Sequence, residues 1–329
     1  MINIKWENRK SSVLTVSDLA CLSRIPTVNL TAGCAHGCIY CYARGYTIYP
    51  GENTIVIYKN LLEKIVKELS RKKRRPKTVY FSPSSDPFQP VPEVLDMTHD
   101  VFSFLLGKGI GISFLTKGRI PDKIFRLFEK YNLHVSSGIG LISVNASVLK
   151  IFEPKAASAD ERLENMQTLV KMSVFTQSRI DPILPGVTDS HVEMETLVSK
   201  IAATGVRRIA ASALFLRPAI RASIQYSADP FASKVLGKFT NCQRLGIHAS
   251  KSNVAALSQT ERQNTYTALN RICMKYGIEM KICACKNPDI AHNSCSIAGL
   301  TASASEKAGT YLFPEIRYKE IGDGKRNPH

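Results

Sequence analysis

The sequence has no long apolar run. No stretch of 18 apolar residues occurs in its 329 residues, and the nearest candidate, IAASALFL, ends at Arg217. A membrane-spanning helix needs about 20 such residues, so we expect no membrane partner. The first ten residues, MINIKWENRK, contain no apolar core of a secretion signal. We therefore expect a cytoplasmic protein.

Acidic residues are few relative to basic ones. The sequence has 27 Asp and Glu against 44 Lys and Arg, for a net charge of +17. Six of the cations lie in one stretch, residues 71–77 (RKKRRPK). A positive potential attracts polyanions and provides phosphate affinity that does not depend on base sequence. We therefore expect nucleic acid as a partner, with a solvated, solubility-promoting surface as the alternative interpretation.

The nine cysteines are unevenly distributed. Three lie within residues 34–41 and three within residues 283–295, whereas Cys21, Cys242 and Cys273 are scattered. In a reducing compartment such groups favour metal binding or catalysis over disulfides. We interpret the three scattered cysteines as small buried apolar side chains.

Strand-like and helix-like segments alternate from residue 28 onward. We predict strands at 28–31, 78–81, 110–115, 133–137, 174–181 and 208–214, and helices at 55–70, 94–106, 122–131, 160–172 and 191–204. Six strand–helix units in a row imply a parallel sheet covered by helices. Six units rather than eight favour a partial barrel that is open on one side.

The pattern divides the chain into three parts. Residues 1–27 are a lead-in, residues 28–215 form the partial barrel, and residues 216–329 form a carboxy-terminal extension containing the second cysteine group. In the extension we predict an irregular segment up to residue 246, then a helix at 259–275 and a strand at 278–282. We expect this extension to close the open side of the barrel.

The unusual loops of the barrel all follow predicted strands. They are GCAHGCIYCYARGY, SPSSDPFQP, TKGR and DPILPG. Because parallel barrels place their chemistry in the loops at the carboxyl ends of the strands, these segments are expected to surround one site.

The first loop contains Cys34, Cys38 and Cys41 with the spacing C-x₃-C-x₂-C. Three thiolates on a tight loop can hold three corners of a [4Fe–4S] cluster and leave the fourth iron open. Gly33 and Gly37 suit a loop that wraps closely around such a cluster. Zinc is the alternative, although structural zinc sites usually show paired C-x₂-C motifs and four protein ligands.

This motif resembles that of the radical S-adenosylmethionine (SAM) superfamily, and within it the spore photoproduct lyase-like branch. The resemblance rests on five segments in order: GCAHGCIYCYAR (33–44), YFSPSSDPFQPVP (80–92), FLTKG (114–118), EP with RLENMQTLV (153–170) and DPILPGVTD (181–189). It implies a partial (β/α)₆ barrel of the radical SAM type. It also implies that the open iron binds SAM and that a reductant such as flavodoxin or ferredoxin supplies an electron. SAM is then split into methionine and a 5′-deoxyadenosyl radical.

The resemblance further implies which side chains contact SAM, although it assigns no catalytic residue. These residues lie at the ends of the first strands and on the following helix: Tyr40 near the adenine, Ser82, Ser84 and Asp86 near methionine and ribose, Lys117 at the carboxylate, Ser136 or Ser137 at the ribose, and Arg162, paired with either Glu153 or the SAM carboxylate.

The sequence departs from that branch in its remaining cysteines. Spore photoproduct lyases use a barrel cysteine as a hydrogen donor, but no cysteine occurs here between Cys41 and Cys242. Repair of thymine dimers by that route is therefore not expected.

The group Cys283, Cys285 and Cys295 is the other departure. Its C-x-C spacing with a third cysteine ten residues later predicts a second metal site, either an auxiliary iron–sulfur cluster or zinc. Cys273, Cys242, His292 or substrate is considered as the fourth ligand.

We therefore predict a radical SAM enzyme acting on a nucleic acid, by lesion repair or base modification. One alternative is a radical SAM enzyme that modifies a peptide or a small metabolite. The other is a non-catalytic nucleic-acid-binding protein whose fold is stabilised by zinc.

Overall fold

The computed structural model describes residues 2–17, 20–23, 25–247, 253–291 and 295. Over these residues the strands are β1 (Asn3–Glu7), β2 (Thr27–Val28), β3 (Thr31–Ala32), β4 (Thr54–Tyr58), β5 (Thr78–Phe81), β6 (Gly111–Thr116), β7 (Val135–Gly140), β8 (Phe175–Ile183), β9 (Arg208–Ala213), β10 (Gln243–Gly246), β11 (Asn253–Ala256) and β12 (Glu279–Ile282). The helices are α1 (Leu61–Ser70), α2 (Pro92–Gly107), α3 (Asp122–Lys130), α4 (Ala146–Phe152), α5 (Ala159–Lys171), α6 (His191–Ala203), α7 (Pro218–Tyr226), α8 (Pro230–Gly237) and α9 (Gln259–Lys275). Short 3₁₀ turns occur at Ala20–Leu22, Tyr42–Gly45 and Asn132–His134.

A parallel sheet forms the centre of the fold. Of the described strands, seven pair in the order β12-β9-β8-β7-β6-β5-β2. Every pairing in this sheet is parallel. The described sheet ends at β2 and β12 and does not close on itself, so the predicted α/β partial barrel is confirmed.

Aromatic side chains fill the space between the sheet and its first helices. Their rings lie edge-to-face or stacked, with centroids 4.7–6.2 Å apart, and belong to Phe81, Phe88, Phe102, Phe114 and Phe128. Such pairs stabilise a core beyond the area they bury. They fix β5 and β6, and therefore the loops that follow these strands, against α2 and α3.

The helix expected at residues 55–70 begins only at Leu61. Residues 54–58 form β4, which pairs in parallel with β1 and antiparallel with β3 in a separate sheet. The sequence TIVIY explains the difference, because β-branched and aromatic side chains favour strands. Leu61, Ile65 and Leu69 are the buried face of α1, as their spacing predicts.

The segment expected to be irregular, residues 216–246, contains two helices. α7 and α8 each begin with a proline, Pro218 and Pro230. Proline suits the first turn of a helix, where its missing N–H has no intrahelical partner. The Asp229 side chain caps α8 by accepting from the Phe231 amide. The two prolines therefore start helices in a segment that was predicted to be irregular.

The predicted strand near residue 280 joins the main sheet. β12 pairs in parallel with β9, in register from Glu279 with Arg208 to Ile282 with Ala211. The boundary at residue 215 stays a prediction, although β12 extends the same sheet. No described helix is long and apolar enough to span a bilayer.

The basic stretch lies at the amino-terminal end of the parallel strands, opposite their carboxyl ends. Residues 71–77 connect the end of α1 to the first residue of β5, and the cations in the stretch are exposed. The stretch is therefore separated from the loops that follow the parallel strands.

We expect Gly118→Ala to destabilise the fold by about 1–3 kcal/mol or more, because of overpacking. A Cβ at this position would lie 1.8 Å from the Phe88 carbonyl oxygen. Gly107→Ala is the matched control, since a Cβ there meets nothing within 4 Å. Alanine at the end of α2 should leave stability unchanged or raise it by up to about 1 kcal/mol. Urea denaturation of both variants measures the difference in stability. Equal midpoints would contradict the close packing of the Gly118 loop against the loop that contains Phe88.

Candidate active site

Cys34, Cys38 and Cys41 lie on the loop that follows β3, and all three line one cavity of about 570 Å³. Two glycines allow the loop to turn this tightly. Gly33 has φ +77°, and a Cβ there would lie 2.4 Å from the Thr54 carbonyl oxygen. Gly37 has φ +67°, again in the left-handed region. The three thiols of the predicted cluster motif therefore face a common space.

Hydrogen bonds hold the backbone of this loop. Arg44 donates from Nε to the Cys38 carbonyl at 3.0 Å and from Nη2 to the Gly37 carbonyl at 3.1 Å. The Ala35 amide donates to Gln89 Oε1 at 2.8 Å. Arg44 and Gln89 thus hold the main chain of the loop, while its cysteines line the cavity.

The environment of the thiols suits metal ligands. Burial raises the pKa of Cys34 well above its usual value and raises that of Cys38 to about 12, with Lys117 opposing the effect on Cys38. A cysteine binds a metal as the thiolate, so a bound cation must drive off these protons. Three soft sulfur donors around one space are the ligand set that iron–sulfur clusters use.

The Asp86 carboxylate connects the cysteine loop to the ends of β5 and β6. Its Oδ1 accepts from the Phe88 amide at 2.8 Å and the Thr116 hydroxyl at 2.7 Å. Its Oδ2 accepts from the Lys117 amide at 2.8 Å and lies 3.1 Å from His36 Nε2. Burial opposes ionisation, but the His36 side chain and these donors hold the pKa of Asp86 below its usual value. Sequence reasoning gave His36 no role, because its partner lies in another loop.

A buried charged network lies beside Cys38. Arg162 is fully buried, forms an ion pair with Glu153 and donates to the Gly140 carbonyl at 3.0 Å. Of the two partners considered for Arg162, the structure therefore shows Glu153. The Tyr40 hydroxyl also donates to Glu153, and Lys117 Nζ lies 5.4 Å from the centroid of the Tyr40 ring. Burial opposes ionisation of Glu153, but Arg162 and Lys117 lower its pKa.

Serine hydroxyls form part of the cavity wall. Ser82, Ser84 and Ser85 line it. The Ser82 and Ser85 hydroxyls are buried and have no hydrogen-bond partner among the described residues. Ser82 also has φ +71°, a strained conformation for a residue with a Cβ. Since neither oxygen is accessible, these hydroxyls can meet a polar ligand in the cavity only after rotation about χ1. Ser85 was not predicted, although it lies in the same loop as Ser82 and Ser84.

Ser136 and Ser137 are placed away from this site. Both lie in the amino-terminal half of β7, and neither is among the described residues that line the cavity. The Ser137 hydroxyl donates to the Thr176 hydroxyl at 2.9 Å. The cavity lies at the carboxyl ends of the strands, so the expected contact of these serines with ribose has no support in the geometry.

The second cysteine group lines the same cavity from another side. Cys283, Cys285 and Cys295 are buried together, and Cys21 packs against them. The Cys21 interpretation therefore needs correction, since its thiol lies 3.7 Å from that of Cys285. Cys273 and Cys242 belong to the main apolar core instead. His292 lies outside the described residues.

Residues 28–197 match the sequence profile of the radical SAM superfamily. This chain belongs to the radical SAM superfamily. An uncharacterized protein of Mycobacterium tuberculosis is 27% identical over 221 residues, which are 64% of this chain and 65% of that protein. The match thus spans slightly less than two thirds of that relative. A radical SAM Nα-GlyT isomerase of Pseudomonas phage M6 is 27% identical over 52% of this chain and 35% of its own length.

Solved structures show the same radical SAM fold. Spore photoproduct lyase complexed with a dinucleoside spore photoproduct has a TM-score of 0.65 and 14% identity, covering 85% of this chain and 82% of that chain. A mutant of that enzyme with bound SAM and the same dinucleoside also has a TM-score of 0.65, with 14% identity, covering 85% of this chain and 81% of that chain. At this identity the likeness establishes the fold alone.

We expect Arg162→Leu to lower the free energy of unfolding by about 3–5 kcal/mol, because it leaves the Glu153 carboxylate buried without its ion-pair partner. The double variant Arg162→Leu, Glu153→Leu should recover much of that loss, since it removes both charges. Denaturant unfolding of the two single variants and the double variant gives the coupling free energy. Additive effects would mean that the two side chains do not stabilise each other.

Proposed function

We propose that this radical SAM enzyme binds a [4Fe–4S] cluster through Cys34, Cys38 and Cys41 and acts on a nucleic acid. The observation that carries the cluster assignment is that Cys34, Cys38 and Cys41 all line one cavity, from a loop in which Gly33 and Gly37 have left-handed φ values. When bound, the cluster and SAM supply a 5′-deoxyadenosyl radical. A reductant such as flavodoxin or ferredoxin is required to deliver the electron.

Residues of the chain are suited to hold the polar groups of SAM. Lys117 lines the cavity, and its ammonium is a suitable partner for the carboxylate. Burial opposes the charge, but Glu153 and Cys38 raise the pKa of Lys117, so it carries a positive charge at neutral pH. Ser82 and Ser85 offer hydroxyls that lack other partners. Tyr40 presents a ring to the same cavity, and we retain it as a contact for the adenine.

Asp86 is assigned a different role from the one the resemblance implies. A carboxylate accepts about four hydrogen bonds, and Asp86 already accepts three and lies 3.1 Å from the His36 ring. It has little capacity left for the ribose hydroxyls. We assign it as a positioning residue that fixes the cysteine loop relative to Lys117.

A nucleic-acid substrate is supported by the side chains at the edge of the cavity. Tyr42, Tyr46, Phe215 and Arg217 all line it. The Tyr42 and Tyr46 rings meet edge-to-face at 5.8 Å, and the Arg217 guanidinium lies 5.9 Å from the centroid of Tyr42. Aromatic rings with adjacent cations are the surfaces on which unpaired bases stack. The net charge of +17 adds phosphate affinity over the remaining surface.

Enzymes that modify a base take it out of the helical stack into a pocket. A cavity of about 570 Å³ is within the usual range for small-ligand sites. We therefore propose base modification or repair on an unpaired or extruded nucleotide.

The triple variant Cys34→Ala, Cys38→Ala, Cys41→Ala should produce no 5′-deoxyadenosine and should lose about four irons per chain. Cys242→Ala is the control, because Cys242 is also half-buried but packs against the main core. Chromatography of SAM cleavage products and iron analysis after anaerobic purification measure both effects. Undiminished deoxyadenosine from the triple variant would refute the cluster assignment.

Tyr46→Ala should weaken binding of a single-stranded oligonucleotide by roughly 5- to 150-fold, the equivalent of one stacking contact of about 1–3 kcal/mol. Tyr226→Ala is the matched control, since Tyr226 is 92% exposed and is absent from the described lining of the cavity. Fluorescence anisotropy at fixed salt measures both affinities. Equal losses in the two variants would argue against a nucleic-acid site at this cavity.

A further inference from the structure

Four cysteine thiols from opposite ends of the chain meet at one side of the cavity. Cys21 lies in the 3₁₀ turn Ala20–Leu22, and its sulfur is 3.7 Å from that of Cys285, 264 residues later. The Cys21 thiol also interacts with Cys295, and the Cys283 thiol interacts with Cys295. Cys283, Cys285 and Cys295 are each less than one tenth exposed.

Buried hydrogen bonds fix the turn that carries Cys283 and Cys285. The Cys283 amide donates to the Ala211 carbonyl at 3.0 Å, so the cysteine directly follows the ladder of β12. Asn287 is fully buried and donates from Nδ2 to the Cys283 carbonyl at 3.0 Å. Its Oδ1 accepts from the Tyr266 hydroxyl at 2.8 Å and from Arg262 at 3.1 Å. Buried polar partners of this kind orient the ligands of metal sites.

Charged side chains lie beside these thiols. Arg179 and Lys286 both contact the Asp181 carboxylate, at 3.1 Å and 2.7 Å. Arg179 is buried, whereas the side chains of Asp181 and Lys286 are 13% and 25% exposed. Arg179 Nη1 also lies 3.5 Å from Cys295 Sγ, and its Nε is buried without a hydrogen-bond partner among the described residues. A buried cation thus lies directly against the cysteines, where a negatively charged group would stabilise it.

The cysteine loop of the radical SAM site shows the same arrangement. There, Lys117 and Arg162 both act on the single carboxylate of Glu153, beside Cys38. In both places cations and carboxylates lie against cysteines that line the same cavity. Thiolates on a metal carry net negative charge, which nearby cations stabilise.

We propose that Cys21, Cys283, Cys285 and Cys295 bind a second metal centre through four thiolates. Cys21 then replaces Cys273, Cys242 and His292 as the fourth ligand. A centre with four protein thiolates has no open coordination position, in contrast to the three-cysteine loop. It therefore does not bind substrate through the metal. It fastens the amino-terminal lead-in to the carboxy-terminal extension across the mouth of the barrel.

Metal binding requires the thiols to reorient. Among the described residues, no three His, Cys, Asp or Glu side chains are already arranged to hold a metal ion. The thiols instead interact with one another, as the 3.7 Å separation of the Cys21 and Cys285 sulfurs shows. Rotation about the single χ1 angle of a cysteine moves the sulfur alone between staggered positions. The backbone that presents the four side chains can stay in place.

The experiment measures metal in the full chain carrying Cys34→Ala, Cys38→Ala and Cys41→Ala, so that failure of the first site cannot hide the second. After anaerobic purification we expect this protein to retain either about four irons with sulfide or about one zinc. The first result identifies an iron–sulfur cluster and the second identifies structural zinc. Absence of both metals from a folded triple variant overturns the proposal.

Cys21→Ser tests the fourth ligand. Added to the triple variant, it should remove the retained metal, whereas Cys242→Ser should leave that metal unchanged. If the triple variant does not fold, the same two substitutions in the otherwise unaltered chain decide the question by the loss of iron or zinc relative to the parent. Alkylation gives a second readout, since Cys21 should be protected until a chelator strips the metal. Unchanged metal content in Cys21→Ser, or alkylation of Cys21 before chelation, overturns its assignment as a ligand.

Discussion

The carboxylate of Asp86 joins three loops of the barrel at one buried point. It accepts hydrogen bonds from the Lys117 amide and the Thr116 hydroxyl at the end of β6 and from the Phe88 amide of its own loop, and it lies 3.1 Å from His36 of the cysteine loop. A buried carboxylate without such partners would be costly, so these contacts stabilise the three loops together. With the hydrogen bonds of Arg44 and Gln89, they fix the cysteine loop relative to Lys117.

The interior of the cavity is organised around buried charge. Glu153 is shared by Arg162 and Lys117 on one side, and Asp181 by Arg179 and Lys286 on the other. Each set places cations next to cysteines. In a low-dielectric interior these cations stabilise a thiolate, whereas burial raises the pKa of Cys34 and Cys38.

Most of the barrel could be predicted because its signals are local. Apolar residues at helical spacing, Leu61, Ile65 and Leu69, are the buried face of α1, and a run of β-branched and aromatic residues forms β5. The errors arose where one local signal competes with another. Residues 54–58 continue into a helical pattern, yet their pairing with β1 and β3 makes them a strand. Proline is compatible both with the end of a helix and with its first turn. At Pro218 and Pro230 a helix begins, and the apolar residues of both helices pack against the main core.

The sequence by itself determined that three thiols lie together, because the C-x₃-C-x₂-C spacing places them on one short loop whatever the rest of the chain does. It also determined the order of the parallel strands from β5 to β9 and of the helices α2, α3, α5 and α6 between them. Only the tertiary structure decided which distant groups meet. The packing of separate segments decides the partner of Arg162, the place of Ser82 and Ser85 in the cavity wall, the position of Ser136 and Ser137 away from it, and the contact of Cys21 with Cys285. No local spacing encodes such contacts, since residues 264 positions apart are brought together only by the packing of the barrel with the segments on either side of it.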